Sequence, residues 1–264
     1  MKKIVILLAF ILSATTAEAW IRRIDQSAIV LAMQHLTPAV KERVEQIAKG
    51  KVKEQVHALP AARKRGEMPE TKGWHALHLD SNLNVVEGVE SDAVTQIERA
   101  ANVLRSHATN TDAENLLSLQ ILFNLLPDMH SVSNVRIEGV EWSNKNFEFI
   151  QTSGKEGTKG ERVKKYRWRT FWYNRYFYHH SAFSAEFFAE DMEVAYGARR
   201  EAFQSGSVRD WAHDVGVSVK PLYDWAAPDY VMCNKQHLEL EDLYFTLVAK
   251  SAYRLAALLN EVLK

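Results

Sequence analysis

A single cysteine, Cys233, excludes an internal disulfide framework for this 264-residue chain. None of the residues just beyond the amino-terminal apolar run is a cysteine either, which excludes a lipid-modified amino terminus of the bacterial lipoprotein kind. Charge of one sign is also lacking. Lys and Arg number 33 and Asp and Glu number 33, so there is no global attraction to nucleic acid or to an anionic membrane, and any such attraction has to be local. The chain has no low-complexity linker and no internal repeat, which argues for one large domain. Its one long apolar run, Ile4 to Leu12, is too short to span a bilayer.

What is there begins with that run. Lys2 and Lys3 precede it, and Ala17-Glu18-Ala19 follows with the small-x-small pattern of a cleavage point, so 1–19 reads as a secretory signal peptide. The mature domain, 20–264, then begins at Trp20 and is expected in the periplasm or secreted, with no membrane insertion once the signal is cleaved. Loss of Lys2, Lys3 and Glu18 leaves 31 basic against 32 acidic residues, still balanced.

The stretch from Glu114 to Val135 organises the rest. Its large apolar residues between Leu116 and Leu126 are spread around the whole helical wheel, which marks a helix buried on every side. Thr111 with Glu114 is a capping-box spacing and predicts the start. Pro127 predicts a kink or an end, leaving Asp128 at the mouth. Gln120, Asn124 and Asp128 recur every four residues and so form one polar stripe in an otherwise apolar helix. A satisfied hydrogen-bond network and a site built in a helical core are both compatible with that stripe.

Around this core the pattern is mainly α. Ile29, Leu31, Ala32 and Leu36 predict a helix from Asp25, and Thr37-Pro38 predicts the cap and first residue of a second helix that Gly50 ends. Lys51 to Thr71 reads mostly as an exposed connection. Helices are further expected after Ser91-Asp92, from Phe183 past Tyr196, and from Gln236 to Leu263. Val135 to Trp142 and Phe147 to Ile150 alternate with a period of two and are separated by Ser143-Asn144-Lys145-Asn146, which predicts a small β-hairpin. Lys155 to Arg175 interleaves Lys164, Lys165, Arg167, Arg169 and Arg175 with Tyr166, Trp168, Phe171, Trp172 and Tyr173. Cations alternating with flat rings suit single-stranded nucleic acid, and they equally suit a packed aromatic segment whose basic side chains reach water.

Taken in order, Ala17-Glu18-Ala19-Trp20, Leu36-Thr37-Pro38-Ala39, Trp74-His75 with Asp80, the central helix, Trp211 with Tyr223, and the closing Tyr253-Arg-Leu-Ala-Ala-Leu-Leu-Asn260 resemble the zinc-dependent nuclease S-one/P-one family, relatives of the bacterial zinc-dependent phospholipases C. The resemblance covers most of the mature chain and implies a single-domain helical bundle. It also implies three zinc ions held by nine residues, among them the free amine and carbonyl of an amino-terminal Trp. Three positions match: Trp20, His75 and Asp128, the last a bridging carboxylate in that family. Asp25 stands where the family has a His. The family's Asp before the Trp-His motif has no counterpart, since Pro60, Ala61, Ala62 and Arg63 occupy the region. Asn124 and Asn134 replace two His, and alignment through Trp172 puts Arg169 and Tyr173 where a His and an Asp belong.

Amide oxygens are poor zinc ligands and a guanidinium repels a second metal, so three-metal hydrolysis is not expected. At most one zinc is expected, on Trp20, Asp25, His75 and Asp128, with no catalytic residue assigned. The expected role is a non-catalytic or weakly active domain that binds phosphate, a nucleotide or single-stranded nucleic acid, with Arg169 as phosphate contact and Tyr166, Trp168 and Trp172 as stacking rings. The alternative is an active endonuclease or 3'-nucleotidase with a reduced metal site.

Overall fold

The capping box forms as its spacing predicts: the Thr111 side chain accepts from the Glu114 amide at 3.3 Å, and Glu114 Oε2 accepts from the Thr111 amide at 2.8 Å. These bonds open the central helix, Asp112–His130, in a computed structural model that describes residues 22–140, 146–151, 162–167, 172, 184–224 and 234–264. Numbered in chain order, this helix is α6, after α1 (Arg22–Gln34), α2 (Pro38–Ile47), α3 (Val52–Gln55), α4 (Ala58–Lys64) and α5 (Ala93–Arg105). Every residue from Ile121 to His130 is buried. The fold is mainly α, and α6 packs against α1, α2, α4 and α5.

The expected break at Pro127 does not end the helix. Proline removes a single N–H, and the flanking Leu125, Leu126 and Met129 are all fully enclosed by the core, so packing holds the last turn in place. Asp128 therefore lies inside that turn rather than beyond it.

At α2, Thr37 caps by accepting from the Val40 amide at 3.4 Å, and the chain leaves the helix through left-handed Lys49 and Gly50, φ 53° and 72°. The connection expected over Lys51 to Thr71 is instead largely structured, as α3, α4 and a 3-10 turn, Pro69–Thr71. Pro60 falls in the first turn of α4, where its missing N–H costs nothing, and Val56 and Leu59 go into the core at 1 % exposure each.

Strands pair differently from the expected hairpin. β1 (Leu77–Leu79) and β2 (Val135–Ile137) form a parallel pair, Leu77 opposite Val135 and Leu79 opposite Ile137, with α5 and α6 as the crossover that parallel strands require. The alternation in Val135-Arg-Ile is thus met by burying Val135 and Ile137, leaving His78 and Arg136 paired on the outer side. The Phe147–Ile150 segment lies in β3 (Asn146–Gln151), which pairs antiparallel with β4 (Arg162–Arg167), Phe147 opposite Tyr166. A hairpin exists, but between the second expected strand and the basic segment.

After β4 come α7 (Ala185–Tyr196), capped by Ser184, then α8 (Arg200–Gln204), α9 (Val208–Val219), α10 (Pro221–Asp224) and the closing α11 (Asn234–Val262). Asn260 on α11 ties the chain end to its beginning, accepting from the Thr37 amide at 2.9 Å and donating to the His35 carbonyl at 2.9 Å. Among the described residues no helix is long and apolar enough to cross a membrane.

Candidate functional site

Arg63 closes α4 one turn after buried Leu59, so its side chain starts on the face that packs against α6. Its guanidinium lies between two other elements. Nη2 donates to Asn124 Oδ1 on α6 at 3.1 Å, and Nη1 meets Nδ1 of His75, just ahead of β1, at 3.5 Å. A guanidinium only donates, so His75 Nδ1 is the acceptor and the ring proton belongs on Nε2. Neither partner is a carboxylate. Among the described residues no carboxylate pairs with Arg63, and the side chain is partly buried.

The remainder of the polar stripe is used in different ways. Gln120 donates to Gln55 Oε1 at 2.8 Å, which fastens α6 to α3. The carbonyl of Asp128 accepts from Asn134 Nδ2 at 3.0 Å, so the buried Asn134 serves as a side-chain cap for the last turn, and its Oδ1 has no hydrogen-bond partner among the described residues. Asp25 and Asp128 are buried, at 7 % and 5 % exposure.

His130, outside the expected register of metal ligands, anchors a second cluster. Its Nδ1 donates to the Leu126 carbonyl at 2.8 Å and its Nε2 accepts from Arg254 Nη1 at 2.8 Å. Arg254, 3 % exposed, also donates to the Phe203 carbonyl at 3.0 Å and to Asp214 Oδ2 at 2.5 Å, and Lys250 reaches the same carboxylate at 2.7 Å. Full burial, and next the Arg254 charge, hold the His130 pKa well below the usual imidazole value, so the ring is neutral. Lys250 and Arg254 lower the Asp214 carboxyl against the opposing effect of its own burial. This cluster ties α6, α8, α9 and α11 together. A third, His35 with Glu193 (2.7 Å), Tyr253 (2.8 Å to the same oxygen) and Arg200 (3.0 Å), joins α1, α7, α8 and α11.

The structure thus brings His75 and Asn124 to one cation, and puts Asn134 beneath Asp128. Trp20, Trp168, Arg169 and Tyr173 lie outside the described residues. Tyr166 stands in β4 opposite Phe147 by backbone register. Trp172 is 3 % exposed and belongs to the hydrophobic core, so packing against the protein occupies the ring that was expected to stack on a base.

Of the four residues expected to hold zinc, Asp25, His75 and Asp128 are among the described residues and Trp20 is not. Among the described residues no three His, Cys, Asp or Glu side chains gather closely enough to hold a metal ion. Within the Arg63 cluster His75 Nδ1 faces a guanidinium and the Asn124 oxygen is already engaged by it, leaving that nitrogen and oxygen turned toward a fixed cation. Sequence reasoning did not bring Arg63 to His75 and Asn124, because the Lys51 to Thr71 stretch read mostly as an exposed connection. The available signal was its spacing of four from Leu59 after a Pro-bearing first turn. No family model and no curated protein matches the chain.

Proposed function

We propose that this chain is a non-hydrolytic, phosphate-binding domain, exported after loss of its leader, on a helical scaffold of the nuclease S-one/P-one type. One observation carries the reading: the Arg63 guanidinium is partly buried between His75 and Asn124 with no anionic partner among the described residues. Burying a charge away from water is costly unless it is paired, and a guanidinium grips a phosphate through two parallel N–H bonds. Among the described residues only His75 and Asn124 take a donor, one each, which leaves three of the five N–H groups for a ligand. Such a grip holds phosphate without lowering the pKa of a water, so binding persists where hydrolysis does not. The ligand class is a nucleotide or single-stranded nucleic acid, with Arg169 as a further phosphate contact and Tyr166 and Trp168 as stacking rings from the basic segment.

The test is binding of labelled mononucleotide and of a single-stranded oligonucleotide to protein whose amino terminus is Trp20, across a salt series. Affinity should fall as salt rises, and Arg63→Ala should weaken both ligands by about tenfold or more, equivalent to about 1.4 kcal/mol. Arg63→Lys should recover only part, because a point charge cannot make the forked contact. Equal binding by wild type and Arg63→Ala refutes the reading. Strong strand cleavage that chelation abolishes would instead establish the metal-dependent endonuclease or 3'-nucleotidase.

A further inference from the structure

Asn115, Gln120, Asn124 and Asn134 lie along α6 or just past its end, and three of these amides use their NH2 group inside the protein. Asn115 Nδ2 donates to the His107 carbonyl at 2.8 Å, Gln120 Nε2 to Gln55 at 2.8 Å, and Asn134 Nδ2 to the Asp128 carbonyl at 3.0 Å. Asn124 is the reverse case. Its oxygen is the bonded atom, accepting from Arg63 Nη2 at 3.1 Å, and because a guanidinium only donates, that bond settles which branch of the amide is oxygen and which is NH2. Asn124 is 8 % exposed, and its Nδ2 has no hydrogen-bond partner among the described residues.

A buried donor without an acceptor is costly, so the arrangement calls for an oxygen beside it. Its neighbour selects the charge of that oxygen. The Asn124 NH2 branches from the same carbon as the oxygen that holds Arg63, so two sets of spare donors lie side by side, and no carboxylate answers either of them among the described residues. A cation is repelled by both. Water would satisfy the amide and leave the guanidinium charge unpaired, whereas an oxyanion with two or more oxygens satisfies both at once.

We propose that Asn124 is itself a ligand-binding residue of the phosphate site: Oδ1 holds the Arg63 fork in place, and Nδ2 donates to a second oxygen of the same phosphate. This rests on the phosphate-binding reading of Arg63 and adds to it a donor from α6. The uncharged amide is then the essential property of position 124. A carboxylate there would hold the guanidinium as well or better, but it would neutralise the charge and present an acceptor where the phosphate needs a donor.

The test is titration of the mature chain with inorganic phosphate at fixed ionic strength, followed by calorimetry and by the side-chain NH2 signals in a proton–nitrogen correlation spectrum. The Asn124 pair, assigned by its loss in Asn124→Leu, should shift downfield and follow the calorimetric dissociation constant. Asn124→Leu should bind phosphate about tenfold more weakly or worse. Asn124→Asp should lose at least as much while its urea midpoint stays at or above that of wild type, since its carboxylate pairs with Arg63; should Asn124→Leu not fold, this variant supplies the assignment and the affinity comparison. Phosphate binding that leaves the Asn124 NH2 pair unmoved, or that is as tight in Asn124→Leu or Asn124→Asp as in wild type, overturns the role of Asn124 and leaves that of Arg63 standing. Wild-type affinity in Arg63→Ala, or no phosphate binding by wild type, overturns the Arg63 reading and this inference with it.

Discussion

Replacing Arg254 by leucine tests the buried cluster at the end of α6. Arg254 is 3 % exposed and supplies the bonds to His130 Nε2, the Phe203 carbonyl and Asp214. Leucine fills part of the volume but donates nothing, so two neutral acceptors lose their partner in a dry place, each at about 1 to 3 kcal/mol. Asp214 contributes less to the loss. Its side chain is 38 % exposed and keeps Lys250, so solvent and the remaining ammonium carry its charge. The expected total is about 3 to 5 kcal/mol, a large part of the roughly 5 to 15 kcal/mol that holds such a domain folded. At roughly 2 to 4 °C per kcal/mol for this chain length, the midpoint should fall by about 6 to 20 °C. Urea unfolding followed by circular dichroism gives the free energy, with the slope checked for two-state behaviour. His130→Leu in the same background should recover about 1 to 2 kcal/mol, since removing both partners leaves nothing stranded. A loss below about 1 kcal/mol at unchanged slope, or strict additivity with His130→Leu, would refute the idea that these bonds hold the helices together.

Acid should act on the same cluster. His130 is held neutral in the folded protein while the unfolded imidazole titrates near 6.5, so below that pH only the unfolded chain takes the proton and stability falls by about 1.4 kcal/mol per pH unit. The comparison is unfolding free energy at pH 7.5 and 5 for wild type and His130→Leu, about 1 to 2 kcal/mol more pH-dependent in wild type; parallel slopes would show that His130 is not the group responsible. Asp214, whose pKa is lowered, supplies stability that is present above about 3.8 and is lost as pH falls from there through its depressed folded value, so Asp214→Asn should flatten the curve in that lower window alone. Thr111→Ala removes the cap of α6 and should cost about 1 kcal/mol by the same urea assay, and an effect under a few tenths would show that core packing alone starts the helix. Gly216→Ala would place a Cβ 2.6 Å from Leu79 Cδ1 and 3.3 Å from Leu83 Cβ, so a loss of about 1 to 3 kcal/mol from overpacking between α9 and β1 is expected, and an unchanged midpoint would mean that Leu79 gives way freely.

Legibility in the sequence followed the range of each interaction. Caps at Thr37 and Thr111 involve residues three apart and were readable as spacings, and the all-round burial of α6 was readable from its apolar residues. Strand partners were not. A period of two says that Val135 and Ile137 face inward, but the parallel partner Leu77–Leu79 comes from more than fifty residues earlier in the chain, and no local rule selects it over the nearer Phe147–Ile150. The polar stripe behaved in the same way: its presence was local information, while Gln55, Arg63 and Asn134 as partners of Gln120, Asn124 and the Asp128 carbonyl were set by tertiary packing.

The continuation of α6 past Pro127 determines what His130 can bond. If α6 had ended at Pro127, His130 would sit in a loop with no carbonyl four residues back to receive its Nδ1 proton, and its tautomer would be undetermined. Because Leu125, Leu126 and Met129 are packed on all sides, the turn persists through Pro127 and Leu126 offers that carbonyl at 2.8 Å. The bond fixes the proton on Nδ1, which leaves Nε2 as an acceptor and makes it a partner for Arg254 rather than for a carboxylate. Apolar packing around a proline thus decides the protonation pattern of a histidine three residues on, and through it which helices the Arg254 charge can join.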